Sequence, residues 1–431
     1  MAYTGASEQY FYANLYKSHT PTVRAEVWYD GEIVIPDLKI SGGSISLKAD
    51  DLSRSSLSGL TTFDTDLSLL PDTVSSALSI YGHEIRIYRG IEYTSGLGTS
   101  EIEEVPVGIF RVQSHTAQEF WNNDNPEGQN NPNFWYYGGA EVSIDGEDRT
   151  ANIIDYKMIT ITQPTPGNTI EEELDYLCQD GAIIEIDKSN FGLGLGDGTG
   201  AFLGTETVIP AYSSIVYQED RGKAITDIAG FINCRAFVSR EGKLRLETIE
   251  ALPSILPDDP QTLPPIFSVS TKNTRDGLYN AVVARGERIA DIYPVQGVYE
   301  NVDYSTKTYW DGPFGNVPFF YESDLLGDTA AAELSAEFRL ESILKDRTRT
   351  FTITTVPDPT LDPNDIVSLE LPGRNPFPAK ITSITLPLDL TDTMTIELVA
   401  TETAVANALV AGVFPTYNGP ASPPPVEGGP S

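Results

Sequence analysis

A chain of 431 residues is longer than one ordinary core organises, and at about 150 residues per domain it divides into roughly three domains. Sixty-two Asp and Glu against 28 Lys and Arg leave a formal charge of -34, with only three histidines to soften it, which sets aside a protein that wraps or grips a phosphate backbone. The same charge suits a highly soluble surface, or a passage through which nucleic acid slides without sticking.

The opening "MAYTGASEQYFYANLY" lacks a basic segment followed by an apolar one, so no signal peptide is read, and no stretch approaches the ~18 apolar residues of a membrane span. A soluble product, made in a cytoplasm and leaving it only by assembly or lysis, is expected. From residue 22 to about 160 the runs alternate: "VRAEVWYDGEIV", "LKISGGSISLKA", "HEIRIYRGIEY", "VPVGIFRVQSH" and "AEVSIDGEDRT" predict half-buried antiparallel strands. Asp30-Gly31 marks a tight hairpin. The stretch "WNNDNPEGQNNPNFWYYGG", rich in Asn, Pro and Gly, predicts a long exposed loop. Residues 1–160 are thus expected to form one β domain.

The period then turns helical. In "TPGNTIEEELDYLCQDG", Ile170, Leu174, Leu177 and Cys178 share a face, Thr169 with Glu172 makes a capping box, and Gly181 stops the helix. A second helix in "RGKAITDIAGFINCRAF" points Ile225, Ile228, Ala229 and Ile232 inward and leads into a hairpin turning at Glu241-Gly242. These define a small α+β module over 161–252, interrupted by a glycine-rich loop at 192–204. Five prolines between 253 and 265 make 253–272 the linker. A C-terminal β-rich region, 273–402, carries one helix from about Asp328 to Lys345 that pairs Leu334 with Phe338 and Leu340 with Leu344. Residues 403–431 form a Pro/Gly-rich tail.

Chemistry-bearing motifs are missing. There is no G-x-S-x-G elbow, "HEIRI" lacks the second histidine of a zincin, no Walker lysine follows a glycine loop, and the acidic loops lack the alternating oxygens of an EF-hand. No catalytic, cofactor-binding or metal-binding residue is assigned, and His19, His83 and His115 are scattered. Paired carboxylates for a hydrolase are guaranteed by abundance alone, so they point nowhere. Cys178 and Cys234 are too few for a disulfide framework and lie in apolar surroundings, which predicts buried free thiols, with one bridge between them as the alternative. The binding candidates are Trp121, Trp135, Tyr136 and Tyr137, aromatic rings of a kind that stack on sugars. A non-enzymatic component is expected.

Several stretches in fixed order carry a family resemblance. They are "VRAEVWYDGEIV" with "LKISGGSISLKADDLSRSSLSGL"; "YGHEIRIYRGIEY" with "EEVPVGIFRVQSHTAQ"; "VSIDGEDRTANIIDYKM"; and the set "LYNAVVARGE", "GPFGNVPFFYES" and "VPDPTLDPNDIVSLELPG". Together they span residues 22 to 400 and resemble the minor tail, or tail-hub, proteins of siphophages that infect actinobacteria. The resemblance implies a mainly β architecture with two tube-like β-barrel domains flanking the α+β module, and a homotrimeric ring at the tail tip. Its partners would be the distal tail protein or tail tube above, the tape measure protein, and tip or fibre proteins below, with phage DNA passing through an acidic lumen without stable binding. A carbohydrate-binding adhesin and a hexameric distal tail protein are the alternatives. The aromatic stretch Trp310–Ser323 is expected to be structural, with Gly312, Pro313 and Gly315 as turn formers. Phe319, Phe320 and Tyr321 would form a strand whose alternate rings pack under Leu334 and Phe338.

Overall fold

A computed structural model describes residues 11–409, apart from 12, 16, 18, 50–51, 95–97, 123–134, 190–215, 233, 249–251, 258–259, 273–274, 276, 287–294, 323–327 and 346–347. After a short helix α1 (Ala13–Leu15) come seven strands: β1 (Thr20–Tyr29), β2 (Glu32–Leu38), β3 (Ile40–Lys48), β4 (Ser55–Asp64), β5 (Glu84–Thr94), β6 (Ser100–Asn122) and β7 (Tyr136–Asp148). Helices α2 (Thr150–Asp155), α3 (Ile170–Leu177) and α4 (Arg221–Phe231) precede the hairpin β8 (Cys234–Val238) and β9 (Leu244–Thr248). Then follow β10 (Gln261–Thr262), β11 (Ile266–Lys272), β12 (Ala281–Arg285), β13 (Gln296–Glu300), β14 (Pro318–Glu322) and α5 (Thr329–Lys345). Strands β15 (Thr348–Thr355), β16 (Ile366–Leu369), β17 (Phe377–Pro387) and β18 (Met394–Thr401) and helix α6 (Glu402–Ala408) complete the order.

The chain is mostly β, as its alternation predicts. The expected pair of barrels is not seen as two separate sheets: the strands form one 13-stranded sheet, ordered β11-β15-β18-β17-β3-β4-β7-β6-β5-β1-β2, with β16 pairing both β10 and β17. Its end strands β11 and β2 are not paired to each other, so no barrel closes among the described residues. The two halves are joined at the seam between β3 and β17, where Lys48 pairs with Ser383 and Ser44 with Pro387. Through it the N-terminal and C-terminal strands share one hydrophobic core, from Ala25 and Val27 on β1 to Ile396 and Leu398 on β18.

Alternation sets which side chains enter that core, and bulges re-phase it. On β17, Phe377, Ala379 and Ile381 are buried, a register shift follows at Ile381/Ser383, and Ile384 and Leu386 continue the inward row. The Asp30-Gly31 hairpin forms as expected, with both residues at positive φ and Tyr29 paired to Glu32. Prolines did not keep 253–272 out of the sheet. Its residues supply β10, parallel to β16, and β11, antiparallel to β15, because a proline is tolerated at edges and between strands.

The α+β module has its own core of Ile170, Leu174, Leu177, Cys178, Ile225, Ile228, Ala229 and Ile232, every one of them a residue its periodicity points inward. The capping box is present in both directions: the Thr169 side chain accepts from Glu172 N, and the Glu172 carboxylate accepts from Thr169 N. Ile153 of α2 joins this core, so packing of the module starts before residue 161. Both cysteines are buried and unpaired, and burial pushes their thiols up, Cys178 to about 12 and Cys234 to about 11.

A smaller layer is inserted between β11 and β15: the sheet β13-β12-β14 with α5 across one face. The aromatic stretch belongs to it. Asn280 donates from Nδ2 to Gly315 O and accepts from Val317 N, while Asn301 donates to Thr306 and Thr308 Oγ1, so two asparagines hold the loop. Phe319 and Tyr321 pack toward α5 as alternation requires, and Phe320 is exposed. Of the expected covering face, Leu334 is exposed and the Phe338 side chain lies outside the described residues; Ala332, Ala336 and Leu340 are buried instead. Gly297 is the reason, since a Cβ there would stand 2.2 Å from Glu333 N; the helix backbone lies directly on the strand, and only small residues fit that contact.

Candidate assembly surface

Strand β6 loses its partner β5 after the pair Glu84–Arg111 and runs on beside β7 alone. From Thr116 to Asn122 its residues are all exposed, while β7 opposite keeps Ala140 and Val142 in the core beside β4; the pair outruns β4 only at Tyr136–Gly139, where it forms a short arm. The strands extend into the segment expected to be loop: Trp121 pairs with Tyr137 and Asn122 with Tyr136, while the rest of that loop, 123–134, lies outside the described residues.

Rings gather at the arm's end. Phe63, at the end of β4, reaches across Gly139 of β7 to Phe120 of β6, with centroids 6.4 Å apart and planes 23° apart. Gly139 has φ +118°, sits opposite Phe120, and a Cβ on it would stand 2.5 Å from Phe63 Cζ. No other residue admits that ring. Trp121 meets Tyr137 edge to face, 5.5 Å and 67° apart. The Tyr137 hydroxyl donates to Asp64 Oδ2 at 2.9 Å and Trp121 Nε1 donates to Glu119 Oε2 at 3.0 Å. Burial of the phenol first, and its carboxylate acceptor next, push Tyr137 up to about 12.

Of the four sequence candidates, Trp121 and Tyr137 are in contact, Trp135 is exposed just ahead of β7, and Tyr136 is placed by register opposite Asn122. Phe63 and Phe120 were not among them, yet they are 53 % and 39 % exposed, beside Trp121 at 48 % and Trp135 at 56 %. The signal for Phe63 was available: in "SSLSGLTTFD" it occupies the outward, polar phase of a strand whose Thr62 and Asp64 are buried. A sugar platform presents open ring faces. Here two rings stack on each other and a third is engaged edge-on, an arrangement that buries well against protein, with Glu119 on the polar rim and the buried Asp64 carboxylate holding Tyr137 from beneath.

The histidines sit on separate elements. His83 is buried, stacks on Tyr29 at 4.5 Å and pairs with Ser79 Oγ at 3.0 Å; burial holds its imidazole below the usual range. His19 Nδ1 lies 3.0 Å from Lys17 O, and His115 is on β6. Among the described residues no group of three His, Cys, Asp or Glu could hold a metal ion, and no helix is long and apolar enough to cross a membrane.

No protein-family model matches the chain, and no curated protein does. Solved structures do. The 43 kDa tail protein of prophage MuSo2 from Shewanella oneidensis aligns with 10 % identity and a TM-score of 0.52, covering 89 % of this chain and 99 % of that one. A tail protein from Neisseria meningitidis MC58 aligns with 13 % identity over 90 % of this chain and 99 % of that one, with a TM-score of 0.49. The prophage tail protein gp18 from Listeria monocytogenes EGD-e aligns with 12 % identity over 89 % and 97 %, with a TM-score of 0.46. The likeness to the Shewanella protein is one of fold: this chain has the fold of a phage tail protein along most of its length.

Proposed function

We propose that this chain is a structural component of a phage tail, the homotrimeric hub at the tip of a siphophage tail of the actinobacterial type. The carrying observation is the fold shared with a prophage tail protein over 89 % of this chain and 99 % of the other. A fold matched over most of a chain supports a role built from most of that chain. In this reading the β1–β7 and β15–β18 parts of the sheet act as two tube-like units per subunit, and three subunits offer six to the tube above. The formal charge of -34 supports a lumen that passes DNA without stable phosphate contacts. The exposed rings at the β6–β7 arm support docking to a neighbouring tail protein, and their mutual engagement favours that over the adhesin reading.

Averaged images of the assembled particle test the proposal. A three-fold density for this chain at the tail tip is expected; a six-fold ring would give the distal tail protein instead, and density away from the tip would overturn the hub. Trp121→Ala should leave the melting temperature unchanged and reduce incorporation into tails, whereas glycan binding lost in that variant would favour the adhesin.

A further inference from the structure

The end strand β11 has an outer edge with no partner among the described residues, and its exposed Phe267 and Val269 stand on it. Beside it runs a groove of about 510 Å³, walled by Leu263, Pro264, Pro265 and Phe267 on one side and Leu371 and Pro372 on the other. Open apolar edges of this kind invite pairing with another chain unless something covers them.

We infer that the groove is the seat of this chain's own C-terminal segment, the stretch beginning "VAGVFPTY" at Val410. Three observations carry this. Helix α6 delivers the chain to the groove wall: Asn375 N donates to Ala408 O at 2.9 Å, and Leu409 bridges Arg374, two residues from Pro372. Five extended residues reach roughly 17 Å, enough to carry Phe414 from that bridge into the groove. Composition agrees as well. From Val410 to Val426 no residue is charged, in a chain of formal charge -34, and Glu370 is the one charged residue lining the groove. An uncharged, apolar segment meets no repulsion there, while most of the chain's other segments would bring carboxylates. Seated in this way, the segment covers the edge that would otherwise pair with a second copy.

Incorporating p-benzoylphenylalanine at Phe414 of the full chain and irradiating tests the inference. The expected product is a monomer-sized species whose cross-linked peptides map to 262–269 or 368–372. A cross-linked dimer would assign the groove to a second copy's tail, and cross-links elsewhere would empty it; either overturns the inference. As an independent measurement, hydrogen exchange of the β11 amides should speed up at least about tenfold in a chain ending at Leu409. Equal exchange in the two chains would refute it whatever the cross-linking shows.

Discussion

The joint between the α+β module and the large sheet rests on Arg240, and its removal has a calculable cost. Arg240 sits in the turn between β8 and β9, almost fully buried, and donates from Nε and Nη2 to Asp362 Oδ1 at 2.9 and 2.6 Å. It also donates to the carbonyls of Leu361, at 2.6 Å, and Pro359. Arg54 reinforces the same segment by donating to Pro363 O at 2.7 Å while lying over the Phe237 ring. Burial opposes ionisation of Asp362, but the Arg240 and Arg54 guanidiniums outweigh it and hold its carboxyl below the ordinary 3.8. Arg240→Met would leave a carboxylate and two carbonyls facing an apolar chain, a loss of about 3–5 kcal/mol by the usual cost of breaking a buried pair from one side. The double variant Arg240→Met/Asp362→Leu should lose less than the two single losses combined, because no charge is then stranded. Hydrogen exchange resolved by segment is the assay, since it reads the opening of α3, α4, β8 and β9 directly. The pH dependence has a defined sign. A carboxyl with a depressed folded pKa contributes stability above its unfolded value and loses it as pH falls through the folded one, so the gap between parent and Arg240→Met should narrow as pH falls below about 4, leaving only the share of the two carbonyl bonds. Protection in the module within about 1 kcal/mol of the parent at pH 7 would refute the assignment of Arg240 as the joint.

Asp358 offers the opposite sign in the same loop. Burial pushes its carboxyl up against the bonds from Thr360 N and Oγ1, so its contribution is present at low pH and lost as pH rises; Asp358→Asn, which keeps both acceptor bonds, should melt higher than the parent at pH 8 and level with it at pH 3. Gly297→Val forces a Cβ into the backbone of α5, and overpacking of about 1–3 kcal/mol should appear as faster exchange in α5 and β13 alone. Phe319→Ser should cost about 2 kcal/mol and Phe320→Ser almost nothing, because only the first ring packs toward α5; equal melting of the two would contradict the strand's orientation. Both thiols should resist a thiol reagent in the native chain and react in denaturant, and labelling at native pH 8 would contradict their burial and raised pKa values.

Much of the local structure was legible because its cause is local. A capping box lies within four residues, and a two-residue turn needs two adjacent residues that tolerate positive φ. Thr169–Glu172 and Asp30-Gly31 therefore read as they fold. The inward faces of α3 and α4 followed from a 3.6-residue period against a single nearby core. The aromatic site was half legible: Trp121, Trp135 and Tyr137 could be named, but the stack of Phe63 on Phe120 needed three strands in register across Gly139. The groove beside β11 was not legible at all, since it exists only where β10 and β11 meet the β16–β17 turn.

By itself the sequence determined the alternating strands of the first region, the inward faces of α3 and α4, and that the whole is strongly acidic. The tertiary structure decided which strands are neighbours. Alternation states that a strand has an inner face without naming its partner, so the pairing of β3 with β17, which joins the two halves in one sheet, rests on packing between residues more than 300 positions apart. The same holds for the helix α5, whose period permits several buried faces; the bare backbone of Gly297 selected the one made of alanines.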